Sequence, residues 1–177
     1  MTAPIRRRTR AREIAMQALF QFDLRGAVLD SPEQDDQLGG TIEDVCYREL
    51  IATHDEDGGL VQKEKLGSTD REILGFATRL AEGTLQHRDE IDRKLQTVTR
   101  NWDLRRMAIV DRNVLRMAVY ELMFCGDVPP KVAINEAIEI GKKFSTANSG
   151  GFVNGILDRI RIDLQAERER EGEAGQA

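Results

Sequence analysis
Apolar side chains recur along this chain at the spacing of an α-helix, and stretches without that rhythm separate one such segment from the next. In residues 11–24, Ala11, Ala15, Ala18 and Phe22 fall on one stripe flanked by Ile14 and Leu19, so the spacing predicts a helix that Gly26 closes. Residues 26–40 are polar and bounded by glycines, which reads as a loop. Thr41 with Asp44 has the form of a capping box and opens a short helix carrying Ile42, Val45, Cys46 and Leu50. A second charged loop spans about 54–67, and Thr69 with Glu72 predicts another capping box. The helix it opens carries Ile73, Phe76, Ala77, Leu80 and Thr84, with Ile91, Leu95 and Val98 continuing after an expected kink near Gly83.

From Leu104 to Phe124 the sequence is apolar around most of the circumference, which predicts the most buried helix of the chain. Pro129 and Pro130 stop it and pre-set the next, Lys131 to Phe144, because proline suits a helix start. After a turn at Asn148 and Ser149, a last helix presents Val153, Ile156, Leu157, Ile160 and Leu164. Residues 165–177 are too polar to pack and read as a disordered acidic tail. No segment alternates like a strand. The expected fold is all-α, with six or seven helices in residues 1–164, and the length allows one domain or two small sub-bundles.

Composition changes this picture at one place. The 177 residues carry a net charge of −5, which argues against nucleic-acid binding over the whole surface. The charge is unevenly spread, however. Arg6, Arg7, Arg8, Arg10 and Arg12 crowd an arm, residues 5–12, that contains no acid, whereas the acids lie in the loops and the tail. Guanidinium groups suit phosphates through their fork of donors, so the arm is a candidate track for a flexible anionic strand. The competing reading is a frayed, solvated terminus. A targeting role is disfavoured: no apolar stretch follows the charges, serine is scarce, and Glu13 and Asp23 interrupt the segment.

Two rings extend the nucleic-acid reading. On a helical wheel Phe20 lies almost opposite the Ala11–Ala15–Ala18–Phe22 stripe, which makes it either a stacking platform for an unpaired base or a contact to a neighbouring sub-bundle. Phe152 sits beside the apolar stripe of the last helix and is a second candidate of the same kind. Lys131, Asn135 and Lys142 form a modest polar face opposite Ala133, Ala137 and Ile140.

The search for catalytic chemistry returns nothing. His54 and His87 have no cysteine, serine or carboxylate partner at a meaningful spacing. Asp55, Glu56 and Asp57 lack the longer ligand spacing of a calcium loop, and no glycine-rich phosphate motif or metal-binding helix motif occurs. The two cysteines, Cys46 and Cys125, are far apart and read as reduced thiols of a cytoplasmic protein; no apolar run is long enough to span a membrane. The expectation is a protein without catalytic activity, cofactor or metal.

Three stretches carry a resemblance. RRRTRAREIAMQALFQFDL, with its R-x-x-A-x-Q-A-L-F core, resembles the start of the NusB family, and VDRNVLRMAVYELMFCGDVPPKVAINEAIEIGKKF resembles its longest recognisable block. FVNGILD is similar to the family's last helix. The resemblance implies two helical sub-bundles, here roughly 9–86 and 87–164. It further implies a transcription antitermination role, with binding to the boxA element of ribosomal RNA leader transcripts jointly with NusE, a small-subunit ribosomal protein. RNA polymerase, NusA and NusG would complete the assembly.

Carried onto this chain, the resemblance makes Arg6, Arg7, Arg8, Arg10 and Arg12 the phosphate-binding element. Phe20 stands where the family often has tyrosine, and Lys131 and Phe152 match RNA-facing positions. Asp111 would belong to the NusE-docking face, with Arg112 as a weaker member, while Arg116 and Glu121 would be structural. The loops 26–40 and 54–67 are longer than the family's usual connections, and the acidic tail is extra. Two alternatives stand beside this reading: a helical protein-interaction adapter, and an RNA-targeting module related to accessory domains of ribosomal RNA methyltransferases. Against the latter, the chain carries no methyl-donor glycine motif.

Overall fold
The computed structural model describes residues 4–28, 40–52, 62–99 and 102–174. Among these it contains seven α-helices and no strand: α1 (Pro4–Val28), α2 (Ile42–Ile51), α3 (Ser68–Gln86), α4 (Arg88–Val98), α5 (Ile109–Phe124), α6 (Pro130–Phe144) and α7 (Ser149–Ala174). Short 3-10 turns at Lys63–Lys65 and Leu104–Arg106 precede α3 and α5. The all-α expectation holds. Among the described residues no helix is long and apolar enough to cross a membrane. His54 and the acidic run Asp55–Asp57 lie outside the described residues.

The chain divides into two compact units, Met1–Gln86 and His87–Ala177. In the first, α1 packs on α2 and α3. The stripe read from the sequence is its inner face: Ala11, Ile14, Ala15, Ala18 and Leu19 are buried, each side chain contributing with its methyl and methylene area. Phe22, expected on that stripe, is only half-buried and lies under the Arg25 guanidinium, 5.3 Å from its ring centroid. The helix also passes Gly26 and runs on to Val28.

Both capping expectations met a test here. At Thr41 the box is complete: the hydroxyl accepts the Asp44 N–H at 3.2 Å and the Asp44 carboxylate accepts the Thr41 N–H at 2.9 Å. Gly40 takes a positive φ of 67° immediately before it, where an added Cβ would come within 2.8 Å of Asp44 Oδ2. At Thr69 there is no box. Residue 68 is already helical, and Glu72 turns instead to Arg7, 2.8 Å away.

The second unit is built on α5, whose residues Arg112 to Val119 are buried without a break, as the all-round apolar pattern predicts. Helices α4, α6 and α7 pack against it. The stripes of α6 (Ala133, Ala137, Ile140) and α7 (Val153, Leu157, Ile160) are buried, while Ile156 and Leu164 are half-buried. At Gly150 an added Cβ would meet Lys142 Cε at 2.9 Å, so this residue lets α7 approach α6 closely. The break expected near Gly83 falls at His87, and Gly83 is buried inside α3.

The tail reading needs correction. Residues 165–174 continue α7 rather than leaving it disordered. Glu and Arg are good helix formers, and three contacts hold the extension: Gln165 to Glu169 at 3.0 Å, Lys94 to Glu167 at 2.7 Å, and Arg168 Nη2 to the Leu122 carbonyl at 3.0 Å. A polar composition excludes burial in a core. It does not exclude a helix that starts in one.

Candidate nucleic-acid interface
The arginine arm is the first turns of α1, so its five guanidiniums are distributed around a helix and meet different surroundings. Arg6 is exposed. Arg8 is exposed too, with its guanidinium carbon 5.2 Å from the Phe76 ring centroid. Arg7 is half-buried and bonded to Glu72 of α3. Arg10 reaches Glu13 at 3.4 Å and donates to the Glu49 carbonyl at 3.2 Å. Helical spacing therefore does supply an acid partner, since Glu13 lies three residues after Arg10.

Arg12 departs furthest from expectation. It is only 2% exposed, with its guanidinium 5.5 Å from the Phe76 ring centroid. A phosphate cannot reach it in this structure, so Arg12 is corrected from ligand to core residue: Arg8 and Arg12 share the helix face that meets Phe76 of α3, and Arg12 is the one enclosed there. Arg6 and Arg8 are the exposed members of the arm, whereas Arg7 and Arg10 are half-buried against Glu72, Glu13 and Glu49. Phe20 is half-buried, so it is neither a fully outward platform nor a core side chain.

In the second unit the structure brings Phe152 and Asp111 into one cleft of about 290 Å³, although the sequence assigned them to different partners. Its aromatic wall is a pair: the Phe152 ring lies 5.3 Å from the ring of Trp102, at 38°. Trp102 is the chain's single tryptophan and is 59% exposed. Its neighbour Arg106 adds a cation. Sequence reasoning passed over Trp102 because it lies in no apolar stripe; the available signal was that it is the chain's single tryptophan, a ring able to stack on a base.

The polar wall is Asp111 and the start of α7. Ser149 Oγ lies 3.3 Å from Asp111 Oδ2, and it also accepts the Thr146 N–H at 3.2 Å. Asp111 Oδ1 is buried and has no hydrogen-bond partner among the described residues. A carboxylate oxygen in that state can accept an N–H or O–H brought by a ligand.

The remaining site expectations fall elsewhere. Arg112, a weaker candidate for partner docking, is 8% exposed, and its Nη1 donates to the Leu104 carbonyl at 3.1 Å. It clips the 3-10 turn to α5, so its guanidinium is spent inside the unit. Lys131 is exposed at the start of α6 but lines a different depression, with none of the residues around Phe152. Among the described residues no group of three or more His, Cys, Asp or Glu side chains is placed to hold a metal ion.

These observations define a class: an all-helical protein with exposed guanidiniums on one unit and a ring-walled, carboxylate-bearing cleft on the other. Comparison with known proteins makes this specific. The chain belongs to the NusB family, which it matches over residues 9–161. It is 41% identical over 165 residues to the transcription antitermination protein NusB of Anaeromyxobacter dehalogenans, covering 93% of this chain and 97% of that one. The counterpart from Symbiobacterium thermophilum is 40% identical over 153 residues, 86% of this chain and 88% of the relative. Among solved structures, T. maritima NusB superposes with a TM-score of 0.64 at 34% identity, over 91% of this chain and 92% of that one. A structure of antitermination factors NusB and NusE in complex with double-stranded RNA shares the fold, with a TM-score of 0.64 at 23% identity over 89% of this chain and 98% of the other.

Proposed function
We propose that this protein is a non-catalytic transcription antitermination factor that binds boxA-type single-stranded RNA of ribosomal leader transcripts together with NusE. The observation that carries the reading is the near-full-length likeness to relatives bearing the antitermination name. A solved complex of NusB with NusE and double-stranded RNA shares this fold, which is consistent with partners of both kinds. In this reading the factor works in the cytoplasm, in an assembly with RNA polymerase, NusA and NusG.

The geometry suggests how the work divides. The exposed Arg6 and Arg8, with Arg7 and Arg10 beside them, hold backbone phosphates, while the half-buried Phe20 lies on the same helix. In the other unit the Trp102–Phe152 pair accepts an unpaired base by stacking, and Asp111 contributes to RNA or to NusE docking. RNA that touches both proteins would couple the two binding events, which needs no catalytic group.

Titration of the full chain with boxA-type and scrambled RNA, with and without NusE, tests this. Tryptophan fluorescence serves as the readout, because the single Trp102 lies in the cleft. Sequence-selective quenching that tightens with NusE is expected. With at most four arginines meeting phosphates, log affinity should fall with log salt at a slope no steeper than about −2.8. Equal binding to both RNAs would favour the adapter reading, which the internal engagement of Arg7, Arg10 and Arg12 also makes physically reasonable.

A further inference from the structure
Between the ends of α5 and α6 and the middle of α7 lies a depression of about 450 Å³ that shares no lining residue with the Trp102–Phe152 cleft. Leu122, Pro129, Pro130 and Leu164 give it an apolar lining. Three cations, Lys131, Arg161 and Arg168, also line it, and among the described residues no carboxylate does. Arg168 is held in place by its bond to the Leu122 carbonyl, and Arg161 by Asp158 at 2.9 Å. The apolar surface extends outward: Val132, next to Lys131, is 42% exposed, and Ile162, next to Arg161, is 52% exposed.

We propose that this groove docks an acidic peptide segment of a partner protein, with aliphatic anchors seated on the prolines and leucines and flanking carboxylates meeting Lys131, Arg161 and Arg168. Two observations choose this occupant. The charged side chains that line it are cationic, and only Arg161 is offset by a neighbouring carboxylate, Asp158, so the lining complements an acidic amphipathic segment better than a basic one. Among the described residues no aromatic ring lines the groove, so it offers a nucleobase no stacking platform, whereas its size and lining suit leucine-like side chains. On this proposal Lys131 serves protein docking, where the family resemblance would place it toward RNA. The inference stands apart from the RNA reading, because neither Arg6, Arg8 nor the Trp102 cleft takes part in it.

The test uses a fluorescein-labelled helical peptide with leucines along one face and Asp or Glu elsewhere, and a twin in which Lys replaces every acid. Each is titrated against the full chain by anisotropy, with methyl NMR of the leucines in parallel. The acidic peptide is expected to shift the Leu122 and Leu164 methyls and to bind at least about 10-fold tighter than its twin. Arg161→Gln together with Arg168→Gln, at groove-lining positions assigned no part in RNA binding, should weaken it at least about 5-fold while leaving boxA-type RNA affinity unchanged. Equal binding of the two peptides, indifference to the double substitution, or shifts confined to other methyls would overturn the proposal. So would a loss of RNA affinity in the double variant accompanied by RNA-induced shifts at Leu122 and Leu164, which would return the groove to the RNA surface.

Discussion

Arg12 lies across the face of Phe76, its guanidinium 5.5 Å from the ring centroid and its surface 2% exposed, and this contact joins α1 to α3. Arg8, one helical turn earlier, approaches the same ring at 5.2 Å but stays exposed. One aromatic side chain thus divides a run of arginines into a part that holds the unit together and a part that faces solvent.

That division has measurable consequences. Arg12→Ala should lower unfolding free energy in urea by about 1–3 kcal/mol, through lost packing of its stem and lost cation–π attraction. Arg6→Ala should leave stability within about 0.5 kcal/mol and weaken RNA binding instead. If Arg12→Ala unfolds at the wild-type midpoint, the buried assignment is wrong.

A second cation acts structurally in the other unit. Arg116 grips Asp92 of α4 with two parallel bonds, Nε to Oδ1 at 2.7 Å and Nη2 to Oδ2 at 2.8 Å. The arginine is nearly buried and the aspartate about one fifth exposed, so truncating either strands a partly desolvated charge. Arg116→Ala should cost about 2–3 kcal/mol, after discounting for the exposed aspartate. A double-mutant cycle with Asp92→Ala should return a coupling of about 0.5–3 kcal/mol, and additive losses would show that the pair does not act as one.

The capping box at Thr41 predicts a pH effect. Hydrogen bonds from the Thr41 hydroxyl and backbone N–H hold the Asp44 carboxyl below its ordinary value, with Lys63 assisting. Because the folded pKa is depressed, this stabilisation is present above the ordinary carboxylate value and is lost as pH falls through the lowered one. Thr41→Ala should cost about 0.5–2 kcal/mol at neutral pH. The wild-type advantage over Asp44→Asn, under about 1 kcal/mol at this exposed site, should shrink in acid. An advantage that grows in acid would contradict the assigned cause.

The two thiols should be distinguishable by reactivity. Burial pushes the Cys46 thiol up to about 12, so almost no thiolate forms near neutral pH, whereas Cys125 is half-buried at the end of α5. Titration with a thiol-reactive chromogen at pH 8 should consume Cys125 alone in the native protein, with Cys46 appearing on denaturation. Rapid labelling of both in native buffer would place Cys46 outside the core of the first unit.

Much of the architecture could be read from periodicity. The stripes of α1, α6 and α7 and the all-round burial of α5 are local facts, because side chains three and four residues apart share a helix face whatever lies opposite. Limits of elements were read less well. Thr69 is no cap because α3 already begins at Ser68, with Glu72 turned to Arg7 on another helix, and the acidic tail is helical with Arg168 and Glu167 bonded to Leu122 and Lys94. In each case the side chains meet partners distant in sequence, which the local signal does not contain.

The amino-acid order by itself determined that the chain is helical, which faces turn inward, and that positive charge gathers at the start of α1, since these follow from spacing and side-chain chemistry within a few turns. Only the tertiary structure decided which arginines remain open, that Trp102 pairs with Phe152 beside Asp111, and that Lys131 belongs to an apolar groove with Arg161 and Arg168. The physical reason is that exposure and partnership belong to the helix packed opposite, and a helical wheel contains no information about that neighbour.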